Sequence, residues 1–232
     1  MKTIILAGGL GTRFAEETEH RPKPMIEING KPILQHIIEI FFNQGFNDFV
    51  IAAGYKSEAI FEWARSVKPK YNVKVLDTGL ETQTAGRIKS CLEDSTEKHY
   101  FVTYGDGLGN VNLNDLLNFH HRSSRIATIT AVRPPARFGS LEFENDLVTN
   151  FGEKQHSDSG WINGGFFCVS RDILKYLTGP TQSFEFDVLP SITLDKQLSA
   201  FRHEGFWQPM DTLREKIQLN SLAKLLPPPW LT

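Results

Sequence analysis

Cysteine is scarce. Cys91 and Cys168 are the two in 232 residues, and they form no CxxC pair. Both read as small buried hydrophobes, which suits a reducing cytoplasm. The seven histidines show no paired zinc spacing. His120-His121, near a helix end, read as a solvated face, and no metal role falls to any histidine or cysteine. Charge of one sign is also lacking: 25 basic against 27 acidic residues leave a formal charge of −2. No broad positive field exists to hold nucleic acid or an anionic membrane, so neither is expected as a partner. Long apolar runs are absent as well. The opening MKTIILAGG has one Lys and a short apolar run, Thr3 to Ala7. That is too short for a signal peptide or a membrane span and reads as a buried first strand. No internal repeat, low-complexity segment or interdomain linker is evident.

What is present is a chain that fits one domain, 1–232, with 40% hydrophobic residues to fill a core. Short apolar runs alternate with helical patterns. Strands are expected at Thr3–Leu6, Phe49–Ala52, Val73–Leu76 and Tyr100–Tyr104. Between them, Ile33, Leu34, Ile37, Ile38, Phe41 and Phe42 recur at helical spacing, with Pro32 suited to the first helical position and Gly45 to the stop. Ser57 would cap a helix through Arg65, and another helix is expected over Ala85–Leu92. Further strands are expected at Ile126–Val132, Gly139–Phe143, Leu147–Phe151, Gly164–Ser170 and Ser199–His203. Helices are expected at Arg171–Leu177, Phe184–Leu194 and Thr212–Leu226, with Pro227 to Pro229 as a stop. This alternation predicts an α/β fold: a mixed, mainly parallel sheet flanked by helices.

The strongest local signal is Leu6-Ala7-Gly8-Gly9-Leu10-Gly11-Thr12-Arg13, directly after the first strand. Glycines let the backbone take positive φ and approach a ligand, and successive N–H groups form an anion-binding concavity. Arg13 adds a permanent charge with a fork suited to phosphate oxygens. The Gly-Lys-Ser/Thr loop is missing, since Thr12 and Arg13 follow Gly11. The dinucleotide fingerprint fails too, because Phe14 stands where its third glycine belongs. Next comes Arg21-Pro22-Lys23-Pro24-Met25, where two prolines stiffen the backbone around one ammonium. Such a lysine can reach a phosphate oxygen repeatedly in one geometry.

These paired motifs resemble the sugar nucleotidyltransferases, also called nucleotide-sugar pyrophosphorylases. The resemblance implies a Rossmann-like sheet, a triphosphate held by the first loop, and Lys23 on phosphate at the reacting centre. Asp106 lies in Tyr104-Gly105-Asp106-Gly107, after a strand whose carboxyl end should open into a ligand crevice. Asp211 precedes the last helix and reads either as its N-cap or as a metal ligand. Two carboxylates plus phosphate oxygens and waters would suit Mg²⁺. In the family both positions bind the catalytic metal, which implies that role for Asp106 and Asp211.

A longer series narrows the resemblance. Asp77-Thr78-Gly79, Thr84-Ala85-Gly86-Arg87, Pro134-Pro135-Ala136-Arg137-Phe138-Gly139, Glu153-Lys154, Trp161-Ile162-Asn163-Gly164-Gly165 and Gly205-Phe206-Trp207-Gln208-Pro209-Met210-Asp211-Thr212 occur in that order. The series is similar to the glucose-1-phosphate cytidylyltransferases over almost the whole chain. That resemblance implies CTP, or another nucleoside triphosphate, and a sugar 1-phosphate as substrates. Thr82, Arg87 and Gly105 would join the first loop in holding the nucleotide. Lys154 would clamp the sugar phosphate, Glu153 would accept from sugar hydroxyls, and Asn163 and Gly164 would line the sugar pocket. Arg87 also reads as a solvated helix charge, and Glu153-Lys154 as a surface ion pair. A homo-oligomer stays open. The chain departs from the family's usual pattern in a short Ser66–Asn72 segment and at Ala85, Gln155 and Trp161.

Overall fold

The computed structural model describes residues 1–67, 70–93, 95–134, 140–144, 147–152 and 160–232. Its central sheet has seven strands: β1 Lys2–Ala7, β2 Asp48–Ala53, β3 Asn72–Asp77, β4 His99–Tyr104, β5 Ala127–Val132, β6 Ile162–Ser170 and β7 Leu198–His203. They lie in the order β7-β5-β6-β4-β1-β2-β3. β6 runs against both neighbours, and the other pairings in the sheet are parallel. The expected mixed, mainly parallel α/β sheet is therefore what forms.

Strand alternation divides the core into two layers. Side chains along a strand point alternately to opposite faces. From β1, Ile5 and Ala7 enter one cluster with Ile37, Ile38 and Phe41 of the helix Ile33–Phe42. Ile4 and Leu6 enter the other, with Ala85, Ile88 and Leu92 of the helix Thr84–Glu93. Full burial of each large apolar side chain contributes roughly 1.5–3 kcal/mol. Cys91 and Cys168 are buried and free, and burial pushes both thiols upward, Cys91 to about 12.

Several elements differ locally from the sequence expectation. Pro32 is the N-cap of its helix rather than its first residue. It closes a hairpin with Glu27–Ile28 through Asn29 and Gly30, both at positive φ as a tight two-residue turn demands. Ser57 is the first helical residue, and its hydroxyl donates to Asp77 at 3.1 Å. The helix expected at Arg171–Leu177 is tighter than that: Arg171–Tyr176 is a 3₁₀ helix. Phe184–Val188 is a π turn that hands over to an α-helix, Leu189–Leu194. Pro190 has no N–H for a regular i→i−4 bond there. The last helix is shorter than expected, Leu213–Leu222. His120 is not on a solvated face. It shares the buried stripe of the helix Leu113–Ser123 with Leu113 and Leu116 and is 1% exposed. Gly139 and the Pro135–Gly139 run lie outside the described residues. Among the described residues no helix is long and apolar enough to cross a membrane.

Candidate active site

The chain leaves β1 toward β2 and β3 on one side, then returns to place β4 on the other. Ligands of open α/β sheets bind at such a switch point, beyond the carboxyl ends of the strands. A cavity of about 510 Å³ opens there. Leu6, Ala7, Gly8, Gly9, Leu10, Gly11 and Thr12 line one wall, and the other lining residues include Lys23, Thr82, Thr84, Arg87, Tyr104, Gly105 and Asp106. The Gly105 N–H donates to the Leu6 carbonyl at 3.0 Å, which extends the β1–β4 ladder into the cleft. A Cβ on Gly105 would come within 3.0 Å of that carbonyl and of Pro24. Gly11 turns the loop at φ +67, and its carbonyl accepts from Phe14 N–H at 2.9 Å.

Arg87 is not a solvated charge. It is 4% exposed. Its guanidinium donates to the carbonyls of Gly8, Ala53 and Gly79, each at 3.0 Å, and to Thr78 Oγ1 at 2.5 Å. It thereby ties together the three loops that follow β1, β2 and β3. Burial pulls its pKa below the ordinary value while Asp77 opposes that shift. Thr82 caps the third loop, donating to the Thr78 carbonyl at 2.5 Å.

Lys23 opens a 3₁₀ turn, Lys23–Met25, with Pro22 before it and buried Pro24 after it. Its ammonium donates to Asp106 Oδ2 at 2.6 Å and to Asp211 Oδ1 at 2.5 Å. The two aspartates meet because a short ribbon joins their segments. Gly107–Gly109 pairs antiparallel with Trp207–Pro209, with Pro209 opposite Gly107. Just beyond, the Met210 N–H donates to the Asp106 carbonyl at 2.8 Å. Burial opposes the Lys23 charge, but Asp106 and then Asp211 outweigh it, and the lysine pKa rises above its usual value.

The N-cap of the last helix is Thr212, in a capping box with Glu215. Asp211 contributes its backbone N–H to Glu215 at 2.7 Å, while its carboxylate faces Lys23. The capping alternative for Asp211 is thereby overturned. Two carboxylates aimed at one small cation are hard oxygen donors suited to Mg²⁺. Among the described residues no group of three or more His, Cys, Asp or Glu gathers to hold a metal by itself.

Asn163 lies on β6 and donates to the Tyr104 hydroxyl at 3.1 Å, while its Oδ1 accepts from Gly165 N–H at 2.8 Å. The Gly164 carbonyl accepts from Trp207 Nε1 at 2.8 Å, which ties this strand to the aspartate ribbon. Trp161 faces the guanidinium groups of Arg133 and Arg202, 4.9 and 5.7 Å from its ring centre. Glu153 and Lys154, with Gln155, lie outside the described residues. Arg13 falls on the turn Thr12–Phe14, and its side chain is likewise outside what is described. Tyr104 and Thr84 also line the cavity, and Glu185 bonds to both; sequence motifs give these three no part in the site. Tyr104 was visible only as the strand end before Asp106. Glu185 carries no signal, being one of two acids, with Asp187, at the start of an expected helix.

A family profile described as nucleotidyl transferase matches residues 2–218. The chain is 39% identical to the glucose-1-phosphate cytidylyltransferase of Salmonella typhi, over 100% of this chain and 99% of that protein. It is 32% identical to the mannose-1-phosphate guanyltransferase of Saccharomyces cerevisiae, over 98% of this chain and 67% of that protein. HddC from Yersinia pseudotuberculosis, also solved in complex with GMP-PN, superposes with a TM-score of 0.78 at 26% identity, over 96% of this chain and 99% of that one. With a profile match over nearly its whole length, behind a glycine loop, a proline-flanked lysine and two converging aspartates, the chain belongs to the nucleotidyl transferase family.

Proposed function

We propose that this protein joins CTP to glucose 1-phosphate, giving CDP-glucose and pyrophosphate. The observation that carries the reading is the convergence of Lys23, Asp106 and Asp211 at the edge of the cavity walled by Gly8 to Thr12. The choice of CTP and glucose follows the full-length likeness to the Salmonella enzyme.

In this reading the N-terminal half holds the nucleotide and the C-terminal half the sugar. The loop N–H groups from Gly8 to Thr12 cradle the triphosphate, and Arg13 stabilises the departing pyrophosphate. A sugar-phosphate oxygen attacks the α-phosphorus; the new P–O bond forms as the bond to the β-phosphate oxygen breaks. That attacking oxygen is already ionised at neutral pH, so no general base is required. Catalysis is then positioning plus charge neutralisation. Lys23, held as an ammonium, follows the charge on the transferring group. Asp106 and Asp211 would hold Mg²⁺, which supplies Lewis-acid neutralisation of phosphate oxygens. In the same reading Glu153 accepts from the sugar hydroxyls and Lys154 clamps the sugar phosphate, while Asn163 and Gly164 line the sugar pocket.

Base choice can be sharp without editing. Cytosine offers an exocyclic amino donor where uracil and thymine offer an acceptor, and each mismatched buried polar group costs about 1–3 kcal/mol. The test is pyrophosphate release for CTP, UTP, dTTP, ATP and GTP against several sugar 1-phosphates. Preference for CTP with glucose 1-phosphate is expected. Preference for another base overturns the cytidylyl assignment, and silence with every pair would mark a binding protein that does not turn over.

A further inference from the structure

We infer that Glu185 positions the sugar-side amide of Asn163 through the hydroxyl of Tyr104, and that this relay governs sugar 1-phosphate binding. The inference rests on the proposed placement of the sugar beside Asn163.

The argument is one of proton counting. Tyr104 is the last residue of β4 and lines the cavity. Its hydroxyl donates to Glu185 Oε1 at 2.6 Å. The other carboxylate oxygen accepts from Thr84 Oγ1 at 2.6 Å and from Ser183 Oγ at 3.0 Å. An ionised carboxylate only accepts, so each hydroxyl must send it its single proton. Tyr104 therefore has only lone pairs left for Asn163. Its oxygen accepts from Asn163 Nδ2 at 3.1 Å. At the other end of the same amide, the Gly165 N–H requires an acceptor and finds Oδ1 at 2.8 Å. The orientation of the amide is thus fixed twice over. One N–H and one oxygen lone pair remain to meet a ligand.

The surrounding backbone is built to hold this geometry. Gly165 sits at φ +77, and a Cβ there would come 2.6 Å from the Tyr104 ring. The π turn Phe184–Val188 is anchored to the nucleotide side, because the Phe184 N–H donates to Thr84 Oγ1 at 2.8 Å. Glu185 is not itself a lining residue and reaches the cavity through its bonds to Tyr104 and Thr84, so it is a positioning residue.

Three variants of the full chain test the relay: Tyr104→Phe, Asn163→Ala and the double change Glu185→Gln with Tyr104→Phe. KM for each substrate is measured by pyrophosphate release with the partner substrate saturating, and folding is checked by thermal melting. Loss of one buried hydrogen bond to the ligand-facing amide should raise the sugar 1-phosphate KM about tenfold in Tyr104→Phe. Asn163→Ala should match it, the CTP KM should move less than about twofold, and adding Glu185→Gln should do little more. Equal changes in both KM values, or additive losses in the double variant, would overturn the relay while leaving the enzyme assignment intact. A wild-type chain inactive with every sugar 1-phosphate would bring down both.

Discussion

The ammonium of Lys23 lies 2.5 Å from a carboxylate oxygen of Asp211, a residue 188 positions further along the chain. The same nitrogen is 2.6 Å from Asp106. The lysine thus bridges the two carboxylates that would hold a divalent cation. The sheet supplies Asp106 from the end of β4, and the ribbon Trp207–Pro209 carries Asp211 up beside it.

Asp106→Asn and Asp211→Asn should each cut turnover by about 10²-fold or more, as when an electrostatic partner of the transition state is removed. Each swap keeps the shape and deletes the charge. Asp211→Asn should melt near the wild-type temperature, because Thr212 and Glu215 cap the helix without the Asp211 side chain. A folded Asp211→Asn protein with wild-type rates would remove Asp211 from the reaction.

Lys23→Ala should let a divalent cation bind without nucleotide. In the native chain an incoming cation must displace an ammonium that is 11% exposed and held by both carboxylates. Charges about 4 Å apart interact by roughly 4 kcal/mol at an effective dielectric near 20, so removing the ammonium should tighten Mn²⁺ binding tenfold or more. Calorimetric titration of both proteins with Mn²⁺ alone measures this. Native affinity equal to that of the variant would show that Lys23 does not compete for the site.

Much of this site is readable in the sequence because it sits on contiguous strings. A glycine run after an apolar strand, and a lysine between prolines, keep their meaning whatever the tertiary context. The meeting of Asp106 with Asp211 is not readable in the same way. It depends on two three-residue strands, Gly107–Gly109 and Trp207–Pro209, too short for any hydrophobic period. Glu185 is hidden for a related reason: a π turn shifts it off the face that a regular helix would give it. The burial of His120 does leave a signal in the sequence. Leu113, Leu116 and His120 fall on one helical stripe, but two adjacent histidines at a helix end read as polar surface.

That buried histidine gives a pH dependence with a definite sign. His120 Nδ1 lies 2.9 Å from Thr128 Oγ1, and its Nε2 lies 3.2 Å from His99 Nδ1. Burial, then His99 and His121, push its pKa down to about 4. In the unfolded chain it titrates near 6.5. Between those values the unfolded state binds more protons, so stability is full above about pH 6.5 and falls as pH drops toward 4. His99 is shifted the same way and adds to the slope. His120→Asn can still bond Thr128 and has no proton to gain. On going from pH 7.5 to pH 5, urea unfolding should show the native chain losing about 2 kcal/mol more than the variant. Equal losses would mean that His120 is readily protonated when folded.

Arg87→Lys should not behave as a conservative change. The guanidinium spreads its donors over the carbonyls of Gly8, Ala53 and Gly79 and the hydroxyl of Thr78. A lysine ammonium offers three donors from one point and cannot span three loops. Hydrogen bonds to a charged group are worth about 1.5–3 kcal/mol each, and carbonyls left buried without partners add to the loss. A destabilisation of about 2–4 kcal/mol is expected in urea, together with a raised nucleotide KM, because the Gly8 carbonyl belongs to the cavity wall. A second substitution separates the clamp from the charge. Gly54 has no Cβ where the guanidinium passes, and an alanine there would bring its Cβ 2.5 Å from Arg87 Nη1 and 2.9 Å from the Gly8 carbonyl. Gly54→Ala keeps the arginine and its charge but must push it off the loops. It should therefore raise the nucleotide KM as Arg87→Lys does. A Gly54→Ala enzyme with native nucleotide KM, set against a defective Arg87→Lys, would show that the guanidinium acts on the nucleotide directly rather than by holding the loops.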